Sequence, residues 1–331
     1  MTAWTADDWP IAAAALPFSG TLPDGRSVTE AGPDEWAVTL AEIADAGFDA
    51  LDVTDSWLRL ADLDAAGRAD FLAVARETGV RPLSLSAIRR SVVDPGDGDA
   101  NLAYSHRVLE AAASVGIGTV SFGLHRPLTA EQSAQLWFWT VDGPKDDPAD
   151  WDLAVTRLRE LGRHAEELGV LMSLEMYEDT FLGTASSAVR LIEEIGLSGV
   201  GLNPDIGNLI RLHRPVESWL ELCEQTLPYA NFWHVKNYTR DEDIARDFYT
   251  AAPSPMVAGV IDYRRAMRIA LANGFQGVIC VENYGGDGLS VCAENRDYLR
   301  RHVLPRRPST QLGTSRVRQL GEARPQTGPE R

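Results

Sequence analysis

Short apolar runs recur along the chain, and amphipathic stretches of several turns separate them. The runs fall at 11–18 (IAAAALPF), 48–53 (FDALDV), 80–87 (VRPLSLSA), 117–124 (IGTVSFGL), 170–174 (VLMSL), 200–204 (VGLNP), 231–238 (NFWHVKNY) and 277–284 (GVICVENY). Helical patterns lie near 34–46, 60–78, 100–115 and 149–168, between the fifth and sixth runs, and near 215–227, 262–274 and 291–303. Strand and helix in alternation predict a parallel sheet with helical crossovers. Eight such units favour closure into an α/β (β/α)8 TIM barrel over an open sheet. A GxGxxG turn after the first strand is absent, so a dinucleotide fold has little support.

Three stretches stand outside this pattern. An insertion at 125–148 follows the fourth strand and carries LWFWTVDGP (136–144). A loop of about twenty residues, 239–260, follows the seventh. The tail, 305–331, holds Pro and Gly, few large apolar residues, and a net charge of +4 from six Arg and two Glu. It is expected to be disordered, which leaves one domain at 1–304.

The oxygen- or nitrogen-ligand residues that end four consecutive strands carry the candidate chemistry. Glu175 follows VLMSL, Asp205 follows VGLNP, His234 lies in ANFWHVKNY, and Glu282 in GVICVENYGG. The steps between them are 30, 29 and 48 residues, and the shorter two equal about one βα repeat. Strand ends of a parallel barrel converge on one face, so these four form a candidate metal site. Three carboxylates and an imidazole suit a divalent cation, Mn2+ first, with Mg2+, Co2+ or Zn2+ also compatible. Such a site can chelate the carbonyl and adjacent hydroxyl of a sugar. It acidifies the neighbouring carbon and stabilises the enediolate, while carboxylates take and return the proton.

Other residues extend the site. His125 directly follows the fourth strand and can act as general acid or base, or merely hydrogen-bond within its loop. Trp139, with Trp137 and Phe138, places an aromatic loop at the active face: a lid for a sugar ring or aglycone, a partner surface, or ordinary packing. Asp287 in NYGGDGL would repel phosphate and suit sugar hydroxyls, or else cap the last helix. His106, His164, His213 and His302 read as structural or solvated.

The formal net charge of −17 argues against a general nucleic-acid binder. Cys223, Cys280 and Cys292 form no CxxC pair, so neither a disulfide framework nor a thiolate zinc site is expected. The acidic start MTAWTADDWP lacks a basic signal region, and no apolar run approaches the ~20 residues of a membrane helix. A cytoplasmic location with no membrane partner is the expectation.

The strand ends SLEMYEDT, GLNPDIGNL, FWHVKNYTR and VICVENYGG resemble those of the xylose isomerase-like TIM barrels. The resemblance runs from about 10 to 304 and is strongest over 170–290. That superfamily includes sugar isomerases, keto-sugar 3-epimerases, inosose dehydratases, endonuclease IV and C-glycoside deglycosidase α-subunits. The resemblance implies Glu175, Asp205, His234 and Glu282 as ligands, with Glu175 and Glu282 as the acid/base pair. It also implies Arg240 as a holder of substrate oxygens and Lys236 as a group that polarises a carbonyl. The epimerase pattern Asp-x-x-His reads Asp205-Ile-Gly-Asn208 here; Asn208 can bond a substrate oxygen but cannot transfer a proton.

The expected function is therefore a metal-dependent sugar or oxo-sugar isomerase or epimerase. The alternative is a carbon–carbon lyase on 3-oxo-C-glucosides that works with a small second subunit. A non-catalytic scaffold barrel is the third reading. The partner is a sugar or glycoside substrate, and a homo-oligomer or a hetero-complex stays open.

Overall fold

A computed structural model describes residues 4–308 and 312–321. Eight parallel strands form the barrel: β1 (Ile11–Ala14), β2 (Ala50–Thr54), β3 (Arg81–Ala87), β4 (Thr119–Phe122), β5 (Leu171–Glu175), β6 (Val200–Asn203), β7 (Phe232–Val235) and β10 (Val278–Val281). Their order is β6-β5-β4-β3-β2-β1-β10-β7. The β6–β7 seam closes through a parallel bridge between Leu202 and Ala230 and through side-chain amides. Asn203 Oδ1 accepts from the His234 N–H at 2.7 Å, and Asn231 Nδ2 donates to the Met172 carbonyl at 3.0 Å. Side chains thus replace ladder bonds where two short strands diverge.

Between the strands, local sequence sets the helix limits. Thr184 caps Ala185–Ile195 by accepting from Ser187 N–H. Gly169 and Gly196, at φ 80° and 70°, end the helices that lead into β5 and β6. Each helix buries an apolar stripe on the sheet, as Ala188, Leu191, Ile192 and Ile195 do.

Buried apolar side chains divide into a large cluster between sheet and helices and a small one made of Ala12, Ala14, Ala50, Phe232, Val278 and Cys280. Leu16, Leu83 and Leu320 pack on the small cluster. Leu320 belongs to the tail, and here the expectation of disorder is corrected for 312–321. Arg316 N–H donates to the Pro228 carbonyl, Arg318 N–H to Ser198, and Gln319 Oε1 accepts from Gln276 N–H at 2.7 Å. A few apolar side chains and scattered backbone hydrogen bonds seat this segment, although its composition reads as disordered. Residues 309–311 and 322–331 lie outside the described residues.

The second difference is the loop expected at 239–260. Most of it is an antiparallel hairpin, β8 (Asn237–Asp243) and β9 (Phe248–Ser254), which follows β7 directly. Its first arm, NYTRDED, is polar and acid-rich, so strand propensity conceals it. Among the described residues no helix is long and apolar enough to cross a membrane.

Candidate metal centre

His234 stands at the centre of the site. Its Nδ1 lies 3.7 Å from Glu175 Oε2, 3.9 Å from Asp205 Oδ2 and 3.6 Å from Glu282 Oε2. All four residues are buried. His234 Nδ1 and Asp205 Oδ1 have no hydrogen-bond partner, which an interior tolerates poorly unless another group satisfies them. Glu175, Asp205 and His234 each offer a ligand atom within 4.8 Å of the others. A hard divalent cation fits this donor set.

The opposite ring nitrogen is held from the first half of the barrel. His234 Nε2 lies 3.3 Å from Ser86 Oγ on β3 and 3.9 Å from Asp52 Oδ2 on β2. Metal-binding histidines commonly donate their second N–H in this way, which fixes the tautomer. Burial raises the Asp52 carboxyl above its ordinary range, against the pull of His234 and the hydroxyls of Ser84 and Ser86. Cys280 also lies near His234 and Asp52, but burial pushes its thiol far up, so it remains a protonated, apolar neighbour.

Asn208 and Lys236 orient the carboxylates. Asn208 Nδ2 donates to Glu175 Oε1 at 3.1 Å, Asp205 Oδ2 at 3.0 Å and the Met176 carbonyl at 3.0 Å. Its amide N–H groups are thus committed to the candidate ligands and the Met176 carbonyl, while Asn208 Oδ1 is buried with no hydrogen-bond partner. Lys236 Nζ bridges Asp205 and Glu282. Burial pulls its ammonium below the ordinary lysine range, and Asp205 opposes that pull. Gly207 makes room here, because a Cβ would come within 2.6 Å of Lys236 Cγ.

Glu175, His234 and Glu282 line a pocket together with His125, Ser86, Tyr177 and Tyr284. His125 Nε2 is 3.4 Å from Glu175 Oε1, and its ring stacks on Tyr177 at 3.9 Å between centroids. The ring lies where a Cβ on Gly123 would be, 2.1 Å away, so the glycine before Leu124 is what admits it. Burial would raise the Glu175 carboxyl, but His125, His234 and Lys236 outweigh burial and hold it well below the usual range. Tyr177 is pushed up to about 12, chiefly by burial.

Above the pocket sits a group that the sequence patterns did not single out. Arg211 is fully buried and pairs with Glu178 at 2.9 and 3.0 Å. The guanidinium lies 4.8 Å from the ring centroids of Phe138 and Trp139, and 5.4 Å from those of Tyr177 and Tyr284. Trp139 is 2% exposed and does not line the pocket. It stacks on Trp137 and meets Tyr238 and Tyr284 edge-on, so the aromatic loop is packed around Arg211. The pocket below has a volume of about 20 Å³, room for one or two waters, so a sugar requires side chains at the rim to move. Arg89 is one such side chain: it lines the pocket, donates to Tyr177 Oη at 3.2 Å, and has φ 55°.

Two expected substrate contacts lie elsewhere. Arg240, on β8, donates to the carbonyls of Ile210, Leu212 and Arg214 and clamps the loop after β6. Asp287 is exposed and caps the last helix by accepting from Ser290 N–H at 3.1 Å.

Fold and site together define a (β/α)8 barrel with three carboxylates and a histidine at the carboxyl ends of its strands. Residues 40–302 match the xylose isomerase-like TIM barrel family, and the chain belongs to that family. It is similar to a xylose isomerase-like TIM barrel protein from Mycobacterium smegmatis solved in complex with magnesium. The two share 46% identity with a TM-score of 0.87, over 90% of this chain and 97% of that one. It shares the fold with D-psicose 3-epimerase from Clostridium cellulolyticum H10, solved with D-tagatose, at 16% identity and a TM-score of 0.62 over 89% and 99% of the chains. The same holds for a 3-keto-D-glucoside 4-epimerase from E. coli, at 16% identity and 0.61 over 88% and 99%. No curated protein matches the chain by sequence.

Proposed function

We propose that the protein is a divalent-metal-dependent sugar or oxo-sugar isomerase or epimerase that moves a proton on a carbon next to a carbonyl. The observation that carries this reading is the convergence of Glu175, Asp205 and Glu282 within 3.9 Å of one imidazole nitrogen, with both glutamates facing the same pocket. Glu175, Asp205, His234 and Glu282 are the residues that would hold the cation. The magnesium bound by the Mycobacterium smegmatis protein supports Mg2+ beside Mn2+. Such a cation, when bound, polarises a carbonyl and an adjacent hydroxyl and so acidifies the carbon between or beside them.

The chain's own residues do the rest. Glu175 and Glu282 take the proton from one face and return it on the other. His125, beside Glu175 Oε1, carries a proton to or from a substrate oxygen. Asn208 and Lys236 hold the carboxylates in register, and Ser86 with Asp52 fixes the imidazole. Tyr177, Tyr284 and the aromatic group above them exclude water.

The test is solvent exchange. D-Psicose, D-tagatose, D-fructose and 3-keto-glucosides are incubated with the protein and Mg2+ or Mn2+ in heavy water. Deuterium uptake beside the carbonyl, lost in Glu175→Gln and Glu282→Gln, supports the reading; no uptake from any of them contradicts it. A second reading, a lyase on 3-oxo-C-glucosides, draws on the two tyrosines that line the pocket with His125, which suit an aromatic aglycone. It predicts no turnover of simple ketoses and dependence on a second small chain.

A further inference from the structure

Beside the small pocket at the metal centre lies a larger, open cleft of about 510 Å³. Residues from the loops after β1, β2, β3 and β4 line it. Ile88 and Arg89 line both spaces, so the start of the loop after β3 is the wall between them. The pocket has room for one or two waters, whereas the cleft has room for several carbons of a sugar.

Three arginines line this cleft: Arg59, Arg89 and Arg90. That concentration of positive charge stands out in a chain with a formal net charge of −17. Among the described residues the only acid lining the cleft is Asp55, and its carboxyl group is already engaged. It is buried, accepts from the Ile88 N–H at 3.0 Å, and lies 4.0 Å from Arg90 Nε. Arg90 rests over the Tyr104 ring at 4.4 Å. Asp62 lies 3.6 Å from Arg59 but does not line the cleft, and neither does Asp287, whose charge would repel a phosphate.

Arg89 joins the two spaces. Nη1 donates to the Arg126 carbonyl at 3.0 Å and Nη2 to Tyr177 Oη at 3.2 Å, which engages two of its five N–H groups. Neither partner is a carboxylate. Its φ of 55° is left-handed, a conformation that costs an L residue stability and that gathers at ligand clamps. A guanidinium fork holds a carboxylate or phosphate through two parallel hydrogen bonds, and a cleft lined by one sign of charge concentrates ions of the other.

We propose that this cleft takes the anionic end of the substrate, so that the protein acts on acidic sugars, with a carboxylate or phosphate at the end remote from the carbonyl. The inference rests on the sugar isomerase or epimerase reading of the metal centre. The reacting carbons lie at the glutamates, and the sugar chain passes Ile88 to set its oxyanion against Arg89, with Arg90 and Arg59 adding charge. A neutral ketose leaves these guanidinium groups to water and binds more weakly.

Three probes on one skeleton test this: D-fructose, D-fructuronate and D-fructose 6-phosphate, which carry a hydroxyl, a carboxylate and a phosphate at the same carbon. Calorimetric titration into the Mg2+-loaded protein is expected to show one or both anions bound about tenfold or more tighter than D-fructose. The tighter of the two tells carboxylate from phosphate. Arg89→Gln is expected to bring the ratio of anionic to neutral affinity close to one. Arg59→Gln, at a side chain that is 47% exposed, is expected to lower it by a smaller factor and to keep the wild-type melting temperature. Equal affinity for all three sugars, no measurable binding of either anion, or a preference that survives both Arg89→Gln and Arg59→Gln overturns the proposal. Deuterium uptake in heavy water separates the two claims. Anions that bind with this preference yet exchange no hydrogen support the anion cleft and contradict the isomerase reading.

Discussion

The two halves of the barrel contribute to the site in different ways. The second half, β5, β6, β7 and β10, brings Glu175, Asp205, His234 and Glu282 to its strand ends. The first half brings small and supporting groups: Ser84 and Ser86 on β3, Asp52 on β2, and His125 just past β4. One half thus presents charge toward the pocket, while the other fixes the ring that this charge surrounds. The division teaches that a residue can matter greatly here without touching the pocket. Asp52, fully buried beside His234 Nε2, is the clearest case.

Four substitutions sharpen that contrast. The largest effect is expected in the charged half, where Glu282→Gln lowers deuterium exchange of a turned-over sugar by about 10³-fold. In the same half, Glu178→Ala leaves Arg211 unpaired in the interior, and urea unfolding should show a loss of about 3–4 kcal/mol.

In the supporting half, Asp55 follows β2, and burial raises its carboxyl from 3.8 to about 6. Because the folded value is the higher one, the proton's contribution to stability is full below pH 3.8 and is lost as pH rises through about 6. Asp55→Asn keeps an acceptor for the Ile88 N–H without the charge. Its stability relative to wild type should therefore rise by on the order of 2–3 kcal/mol between pH 4 and 7, read by parallel urea titrations. Asp52→Asn should weaken metal affinity about tenfold while leaving the melting temperature of the metal-free protein close to wild type. If Asp52→Asn abolishes metal binding while Glu282→Gln leaves it and the exchange intact, the two halves have the opposite roles.

How legible each part was follows from the same division. The four candidate ligands are visible in the sequence because each is a ligand-type residue in or at the end of an apolar run, with steps of 30, 29 and 48 residues between them. Asp52 is invisible by that rule, since FDALDV contains two aspartates and only the register shows which faces inward. Arg211 and Glu178 lie in separate loops, 33 residues apart, and no local pattern joins them. Arg240 stands at a suggestive distance after His234, yet the hairpin turns it toward the carbonyls of 210–214. The hairpin and the 312–321 segment escaped for a related reason: long-range pairing holds polar sequence that local propensity assigns to loops.

The central claim is that Glu175, Asp205, His234 and Glu282 hold one divalent cation. Metal content of the purified wild type and of His234→Ala, measured by mass spectrometry, tests it most directly. The account predicts about one Mg2+ or Mn2+ per wild-type chain and its loss from the variant. A wild type that carries no metal, and whose melting temperature neither Mg2+ nor Mn2+ raises, would contradict it.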